Sequence, residues 1–216
     1  MSAAVDDGAG WHDISIPFAP TTPAWPGDTP CSCGWAWSIA DGASVNVSRW
    51  ETSPHVGTHA DAPLHVRADG DGADRLPLAP FAGAARVLDL TAHDGDIGLE
   101  DLQAAGWRSG TPRVLLRTGR SVANGGFPGA WPSLTVAAAR ALVLDGLRLL
   151  AVDCPSVDAR ESKELGVHHA LFGGGAFVLE NLDLSGVEPG AYELRALPLK
   201  VGAVDAAPVR ALLRAL

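Results

Sequence analysis

The chain has 216 residues, a length that suits one medium-sized domain able to bury most of its apolar surface. Its 16 basic and 25 acidic side chains give a formal net charge of -9, which disfavours nucleic acid and anionic membrane surfaces as partners. The 25 glycines and 16 prolines favour short elements joined by tight turns over long helices.

No segment of the sequence resembles a targeting signal or a membrane span. Residues 1–7 lack the basic stretch and the apolar core of a secretory signal peptide. The longest apolar stretch, 137–154, contains charged side chains that a spanning helix would not carry. The three cysteines form no C-x-x-C pair and suit a reducing compartment. We therefore expect a cytoplasmic protein.

Short apolar runs bounded by glycine, proline and polar residues predict β-strands along most of the chain. The proline-rich stretch 17–30 predicts an extended loop, because each proline fixes its own φ and disfavours helix before it. That loop carries Trp25. We predict strands at 11–16, 45–50, 85–90, 114–118, 147–152 and 176–182.

Helices are predicted at three places. Residues 99–105 have an acidic first turn, and residues 135–145 form an apolar run. The C-terminal stretch 208–216 has the clearest helical period, since four apolar side chains from Val209 to Leu216 fall on one face. Its leading proline is tolerated in a first turn.

This order of strands with scattered helices favours a mixed α/β domain over a helix bundle or a pure sandwich. No internal repeat and no Ser/Gly-rich linker divides the sequence. We expect a single domain over residues 1–216, with residues 1–10 as a loose N-terminal extension.

The segment from His55 to His65 concentrates side chains that bind metals or transfer protons. Its four such residues are separated by even numbers of positions, so an extended chain would place all of them on one face. They are His55, His59, Asp61 and His65. A helix would rotate Asp61 away, and Pro63 disfavours one. A strand or a loop is the expected carrier.

A straight strand cannot bring the first two histidines to one ion. It would hold His55 and His59 roughly 13 Å apart, whereas zinc needs both nitrogens at about 2.1 Å. Gly57 lies where the chain must bend, and the Thr58 hydroxyl can bond to backbone or ligand groups beside it. Imidazole and carboxylate ligands without thiolate suit zinc, manganese or iron, and we favour zinc. The alternative is a chance cluster of surface or core histidines.

The pattern H-x-G-T-H-x-D-x-P-x-H over residues 55–65 resembles the signature of the cyclase family of metal-dependent hydrolases. Four further motifs look like the kynurenine formamidase (arylformamidase) branch of that family, so the resemblance covers nearly the whole chain. They are Trp25-Pro-Gly-Asp-Thr-Pro30, Val45-Asn-Val-Ser-Arg49, Cys154-Pro-Ser-Val-Asp158 with Glu161-Ser-Lys163, and Ala196-Leu-Pro-Leu-Lys200.

The resemblance implies a swivelling β/β/α fold and the hydrolysis of N-formyl-L-kynurenine to L-kynurenine and formate in tryptophan degradation by the kynurenine pathway. It implies two zinc ions per subunit, with manganese or another divalent metal as the alternative, and a homodimer. By position, the metal ligands would be His55, His59, Asp61 as a bridge, His168 and Glu180, with His65 as proton carrier and Trp25 against the substrate.

Two of these positions also carry an argument of their own. Val167-His168-His169 offers adjacent histidines, which point opposite ways in an extended segment, so His169 is the less favoured ligand. Glu180 lies in an apolar strand, where its carboxylate needs either solvent or a cation.

Two other functions fit the same residues. A related amidase such as an isatin hydrolase would keep the metals and change the pocket, and a non-catalytic protein would use the metal for structure alone. Arg49 and Asp153 are weaker candidates for orienting ligands or binding a substrate carboxylate. His12 and His93 have no informative spacing and are expected at the surface or in structural hydrogen bonds.

Overall fold

The computed structural model describes residues 10–216, so nearly all of the proposed N-terminal extension lies outside the described residues. The described part contains eleven β-strands and three α-helices. The strands are β1 (Trp11–Asp13), β2 (Ser32–Trp37), β3 (Val47–Glu51), β4 (His59–Asp61), β5 (Ala82–Asp89), β6 (Arg113–Arg117), β7 (Leu149–Val152), β8 (Phe177–Glu180), β9 (Gly190–Arg195), β10 (Ala206–Pro208) and β11 (Leu212–Ala215). The helices are α1 (Leu99–Ala104), α2 (Val136–Leu144) and α3 (Gly166–Gly173).

Nine of the strands form one mixed sheet in the order β1-β11-β9-β5-β6-β7-β8-β4-β10. The four strands from β5 to β8 run parallel, and the flanking pairs are antiparallel. The parallel strands read as continuous apolar runs because both of their faces are covered. The predicted mixed α/β fold is thus confirmed.

Alternating side chains of the parallel strands enter two different cores. Leu115 and Ala151 belong to a core that the curled sheet encloses, which also contains Leu213 of β11. Leu116 and Val152 point to the opposite face, where the three helices pack. The helix-covered face bears the candidate site.

The C-terminal prediction was wrong. Instead of a helix, the segment forms β10 and β11, which pair with β4 and with β1 and β9. Val209, Ala211 and Leu213 are the buried residues, a period of two that is hidden within the helical pattern, and Leu216 is exposed. Pairing on both sides of β11 decides the conformation of a segment too short for its period to be diagnostic.

The other predicted elements are present with shifted ends. The loop predicted over residues 17–30 contains no helix or extended strand. β2, β9 and α3 were not predicted. β2 and β3 form a separate two-stranded ribbon, whose side chains are mostly exposed. No helix in the described part of the chain is long and apolar enough to cross a membrane.

Candidate metal centre

The backbone bends at Gly57, as the sequence required. This residue has φ +69°, and a Cβ there would lie 2.9 Å from the Ile16 carbonyl oxygen, so only glycine fits. The Thr58 hydroxyl secures the bend by accepting from the Ile16 N–H at 2.7 Å and donating to the Asn181 carbonyl. The bend brings His55 back beside His59, at the start of β4.

Strand register sets the next three side chains. β4 lies between β8 and β10, and His59 is directly opposite Glu180 of β8. Asp61 points to the same face because side chains two apart on a strand do so, whereas Ala60 enters the enclosed core. Glu180 is buried, and its Oε1 accepts from the Val157 N–H at 2.8 Å.

His168 comes to this face from a helix and not from the extended segment assumed in the sequence analysis. It lies in the first turn of α3, where the Asp158 carboxylate accepts from the backbone N–H groups of Val167 and His168. The helix turns the His168 side chain inward and leaves His169 exposed. The structure therefore places His168, and not His169, in the cluster.

Three atoms converge in the first ligand group, which we call site A: His55 Nδ1, His59 Nε2 and Asp61 Oδ1. The two nitrogens are 3.1 Å apart, and Asp61 Oδ1 lies 3.1 Å from His55 Nδ1 and 3.3 Å from His59 Nε2. Ligand atoms at about 2.1 Å from a tetrahedral zinc ion are separated by about 3.4 Å. Site A thus has nearly the spacing that such an ion needs.

The hydrogen bonds that the two rings make outside site A fix which nitrogen of each ring faces the site. His59 Nδ1 lies 2.9 Å from the Gly57 carbonyl oxygen, and His55 Nε2 lies 3.0 Å from Asp205 Oδ2, so each ring donates outward. When the two rings are neutral, each inward nitrogen therefore presents a lone pair to a metal ion. Asp61 Oδ1 is buried and has no hydrogen-bond partner among the described residues. Three acceptors around one point fit a divalent cation.

A second group, site B, shares the Asp61 carboxylate. His168 Nε2 lies 3.1 Å from Asp61 Oδ2 and 3.4 Å from Glu180 Oε1. His168 Nδ1 donates to Asp158 at 2.7 Å, which fixes the ring with its other nitrogen inward. Glu180 also reaches toward site A, with Oε2 at 3.6 Å from His59 Nε2. The residues therefore fit two cations bridged by Asp61.

The electrostatics of the cluster favour positive charge. Burial opposes a charge on the histidines, but the Asp61 carboxylate outweighs it and raises the pKa of His55 to about 10 and that of His59 to about 9. Burial likewise opposes a charge on Asp61, yet the two histidines hold its pKa well below the ordinary value. A divalent metal would supply the charge that these groups attract.

The cluster opens into a pocket of about 500 Å³, a common size for a small-molecule site. Trp25 lines it, and its ring makes edge contacts with Phe127 and Trp131 at 5.3 and 5.7 Å between centroids. His65 also lines the pocket and offers a ring nitrogen within 4.8 Å of ligand atoms of Asp61 and His168. The structure thus brings together all seven residues singled out in the sequence.

Two weaker candidates lie elsewhere. The Asp153 carboxylate is buried and accepts from the Thr118 hydroxyl and from the backbone N–H groups of Thr118 and Gly119, so it secures a loop. Arg49 is exposed on the β2–β3 ribbon. His93 bonds to the Asp96 carbonyl oxygen as a structural group.

Sequence reasoning missed two carboxylates of the site. Asp158 is visible in the sequence only as the end of a family motif, and Asp205 belongs to no motif. Each accepts from a histidine nitrogen that points away from the cluster. Asp158 is ten positions from His168 in sequence, and Asp205 is 150 positions from His55. Residue spacing therefore could not identify either contact.

Comparison with known proteins gives one family match. The model of the Cyclase family matches residues 12–159, more than half of the chain.

Solved structures give a consistent fold. One, described as a potential metal-dependent hydrolase with cyclase activity, is 28% identical with a TM-score of 0.81, covering 94% of this chain and 96% of its own. A predicted metal-dependent hydrolase from Bacillus stearothermophilus is 28% identical with a TM-score of 0.79, covering 94% and 97%. Isatin hydrolase A from Ralstonia solanacearum is 23% identical with a TM-score of 0.81, covering 95% and 92%, a likeness that shows the fold alone.

Proposed function

The chain belongs to the Cyclase family, and we propose that it is a metal-dependent hydrolase that converts N-formyl-L-kynurenine to L-kynurenine and formate. The observation that carries the hydrolase part is the pair of ligand groups sharing Asp61 at the base of an aromatic-lined pocket. A closed structural metal site would not open into such a pocket. This argues against the non-catalytic alternative.

We assign His55, His59 and Asp61 to one zinc ion and Asp61, His168 and Glu180 to the other, with manganese as the alternative. Two such ions, when bound, lower the pKa of a water molecule and stabilise negative charge on a carbonyl oxygen. The bridging Asp61 carboxylate keeps the two positions close. Glu180 contacts both groups and fixes their spacing.

His65 is placed to move the proton. Its Nδ1 lies 3.1 Å from Asp205 Oδ2, so the ring donates there and keeps its other nitrogen for the reaction. In the proposed mechanism that nitrogen takes a proton from the attacking water and returns it to the nitrogen of the departing aromatic amine. An imidazole is suited to both transfers near neutral pH.

The pocket supports an aromatic substrate with an ammonium group. Trp25 offers an indole face to an aryl ring. Asp28 also lines the pocket, its N–H donating to the Trp25 carbonyl oxygen in a tight turn. No lysine or arginine occurs among the described lining residues. N-formylkynurenine bears an aryl ring and an amino-acid tail with an α-ammonium group for Asp28 and an α-carboxylate for which the pocket offers no lysine or arginine, whereas isatin has no cation for Asp28.

An assay panel tests the substrate assignment. Purified protein with zinc should release formate from N-formyl-L-kynurenine at least tenfold faster than it opens isatin at the same concentration. A matched site variant, Asp61→Asn, should be inactive on both because it weakens the bridge. Faster opening of isatin would contradict the formamidase assignment and leave the hydrolase assignment in place.

We also propose that the protein is a homodimer joined through the β2–β3 ribbon. Trp35, Trp37 and Trp50 expose 61%, 64% and 56% of their surfaces, and Val47 beside them is exposed as well. Clustered large apolar side chains at a surface mark an interaction site. A second copy would bring an equally apolar ribbon, which is the match a two-fold contact requires.

Light scattering tests this dimer. The wild-type protein should have twice the chain mass, and the double variant Trp35→Ser/Trp37→Ser should have the mass of one chain.

A further inference from the structure

One carboxylate oxygen links a metal-ligand candidate to the proton carrier. Oδ2 of Asp205 lies 3.0 Å from His55 Nε2 and 3.1 Å from His65 Nδ1. The His55 and His65 rings are 4.4 Å apart between centroids. Asp205 thus contacts two groups that have different chemical tasks in the proposed function.

The backbone holds Asp205 in place independently of its side chain. Asp205 immediately precedes β10, and its carbonyl oxygen accepts from the Ala62 N–H at 2.8 Å. β10 in turn pairs with β4, which carries His59 and Asp61. The Asp205 side chain therefore projects from the strand edge next to the ligands, and its removal leaves this backbone bond intact.

We assign the two contacts to hydrogen bonds, although His55, His65 and Asp205 also have the spacing of a metal-binding group. Separations of 3.0 and 3.1 Å are ordinary for N–H···O bonds. Moreover, Asp205 faces the Nε2 atom of His55, while Nδ1 of the same ring faces His59 and Asp61. A carboxylate behind a metal-binding ring acts on the orientation and tautomer of that ring.

We propose that Asp205 is a positioning residue that fixes both rings at once. In the neutral rings, accepting from His55 Nε2 makes Nδ1 the nitrogen that faces site A, and accepting from His65 Nδ1 makes Nε2 the nitrogen available for proton transfer. We call the effect on His55 the His55 arm of the proposal, and it concerns metal binding alone. The effect on His65 is the His65 arm, and it rests on the proposed function.

Two variants test whether the acceptor oxygen of the Asp205 side chain fixes the two rings. Asp205→Ala removes the acceptor, whereas Asp205→Asn keeps an oxygen that can accept from both rings. Asp69→Asn, at an exposed carboxylate paired with Arg67, serves as the matched surface control. If the alanine variant does not fold, Asp205→Ser replaces it, since its hydroxyl is too short to reach either ring.

The first readout is cobalt titration of metal-free protein, followed by visible absorption. Asp205→Ala should bind cobalt about 10- to 100-fold more weakly than the wild type and give a shifted spectrum, because the His55 ring is no longer fixed. Asp205→Asn should fall within about threefold of the wild type. Wild-type affinity and spectrum in Asp205→Ala would overturn the proposal, as would an equal loss in both variants.

The second readout is turnover at saturating zinc. Asp205→Ala should lower kcat at least tenfold with KM within about twofold, and Asp205→Asn should recover most of kcat. Unchanged kcat in Asp205→Ala, or a loss confined to KM, would overturn the His65 arm. The cobalt titration uses no substrate, so failure of the formamidase assignment leaves the test of the His55 arm unaffected.

Discussion

His59 lies directly opposite Glu180 on adjacent antiparallel strands, with 3.6 Å between Nε2 and Oε2. Facing positions on such strands point to one side of the sheet, so this pair is set by register and not by local sequence. It joins the segment around the Gly57 bend to a carboxylate on β8, the last of the four parallel strands. The two parts of the metal centre meet at this pair.

The Glu180 carboxylate should control metal content. Burial and the Asp61 charge oppose ionisation of Glu180, but hydrogen bonds from His168 and His59 still lower its pKa, as expected of a group that stays anionic in the site. Glu180→Gln keeps the shape and removes the charge. We expect at least tenfold weaker binding of one metal per chain by isothermal titration. Wild-type affinity for both metals would show that Glu180 holds neither.

Removal of the His65 ring should separate metal binding from turnover. Because His65 is assigned to proton transfer, His65→Ala should retain both metals and lose roughly a hundredfold or more in kcat. Metal analysis of the same sample used for kinetics provides the control. A variant with full turnover would remove the proton-transfer role, and one that loses a metal would make His65 a ligand.

Metal binding should be tighter at higher pH. The pKa values of His55 and His59 are about 10 and about 9 without metal, so both nitrogens of each ring are protonated at pH 7.5. A cation must displace these protons, so its affinity rises with pH and falls with acid. Because the pKa of His168 is also raised well above its ordinary value, calorimetry in two buffers of different ionisation enthalpy should show release of about three protons per chain when both metals bind. Equal affinities at pH 6.5 and pH 8 without proton release would refute this.

The bend at Gly57 should be intolerant of a side chain. Gly57→Ala combines a left-handed backbone with a 2.9 Å contact to the Ile16 carbonyl oxygen. We expect it to lower the free energy of unfolding by more than about 2 kcal/mol. Gly95→Ala is the matched control, since it has φ +88° in open space and should cost only about 1 kcal/mol. Equal costs in urea titrations of metal-free protein would show that the close contact is unimportant.

Asp28 should select the ammonium group of the substrate. Asp28→Asn should lower kcat/KM for N-formyl-L-kynurenine about fivefold, the effect of one partly exposed ion pair. Formanilide, which has the formamide and the ring without the amino-acid tail, should react equally well with both proteins. An equal loss on the two substrates would place Asp28 in loop structure and not in recognition.

The sequence predicted those features that depend on neighbouring residues alone. The bend at Gly57 could be predicted because two histidines four residues apart cannot share an ion on a straight strand. The central strands could be predicted because both of their faces are apolar, as at Leu115 and Leu116. Outside the His55 to His65 segment, the roles of Trp25, His168 and Glu180 were predicted mainly from the family resemblance.

The remaining features depend on long-range pairing. β11 has a helical apolar pattern but is a strand because β1 and β9 flank it. The helix under His168 begins where Asp158 accepts its first N–H groups, a contact across ten residues. Asp205 reaches His55 only through the pairing of β10 with β4. None of these partners is visible from residue spacing.

Metal stoichiometry tests the central claim most directly. After expression with ample zinc and removal of loosely bound metal, elemental analysis of the purified wild-type protein should give close to two metal ions per chain. Asp61→Asn, which replaces the shared carboxylate in both groups, should give fewer than one. A wild-type content near zero, or an unchanged content in Asp61→Asn, would contradict the metal centre formed by these two groups.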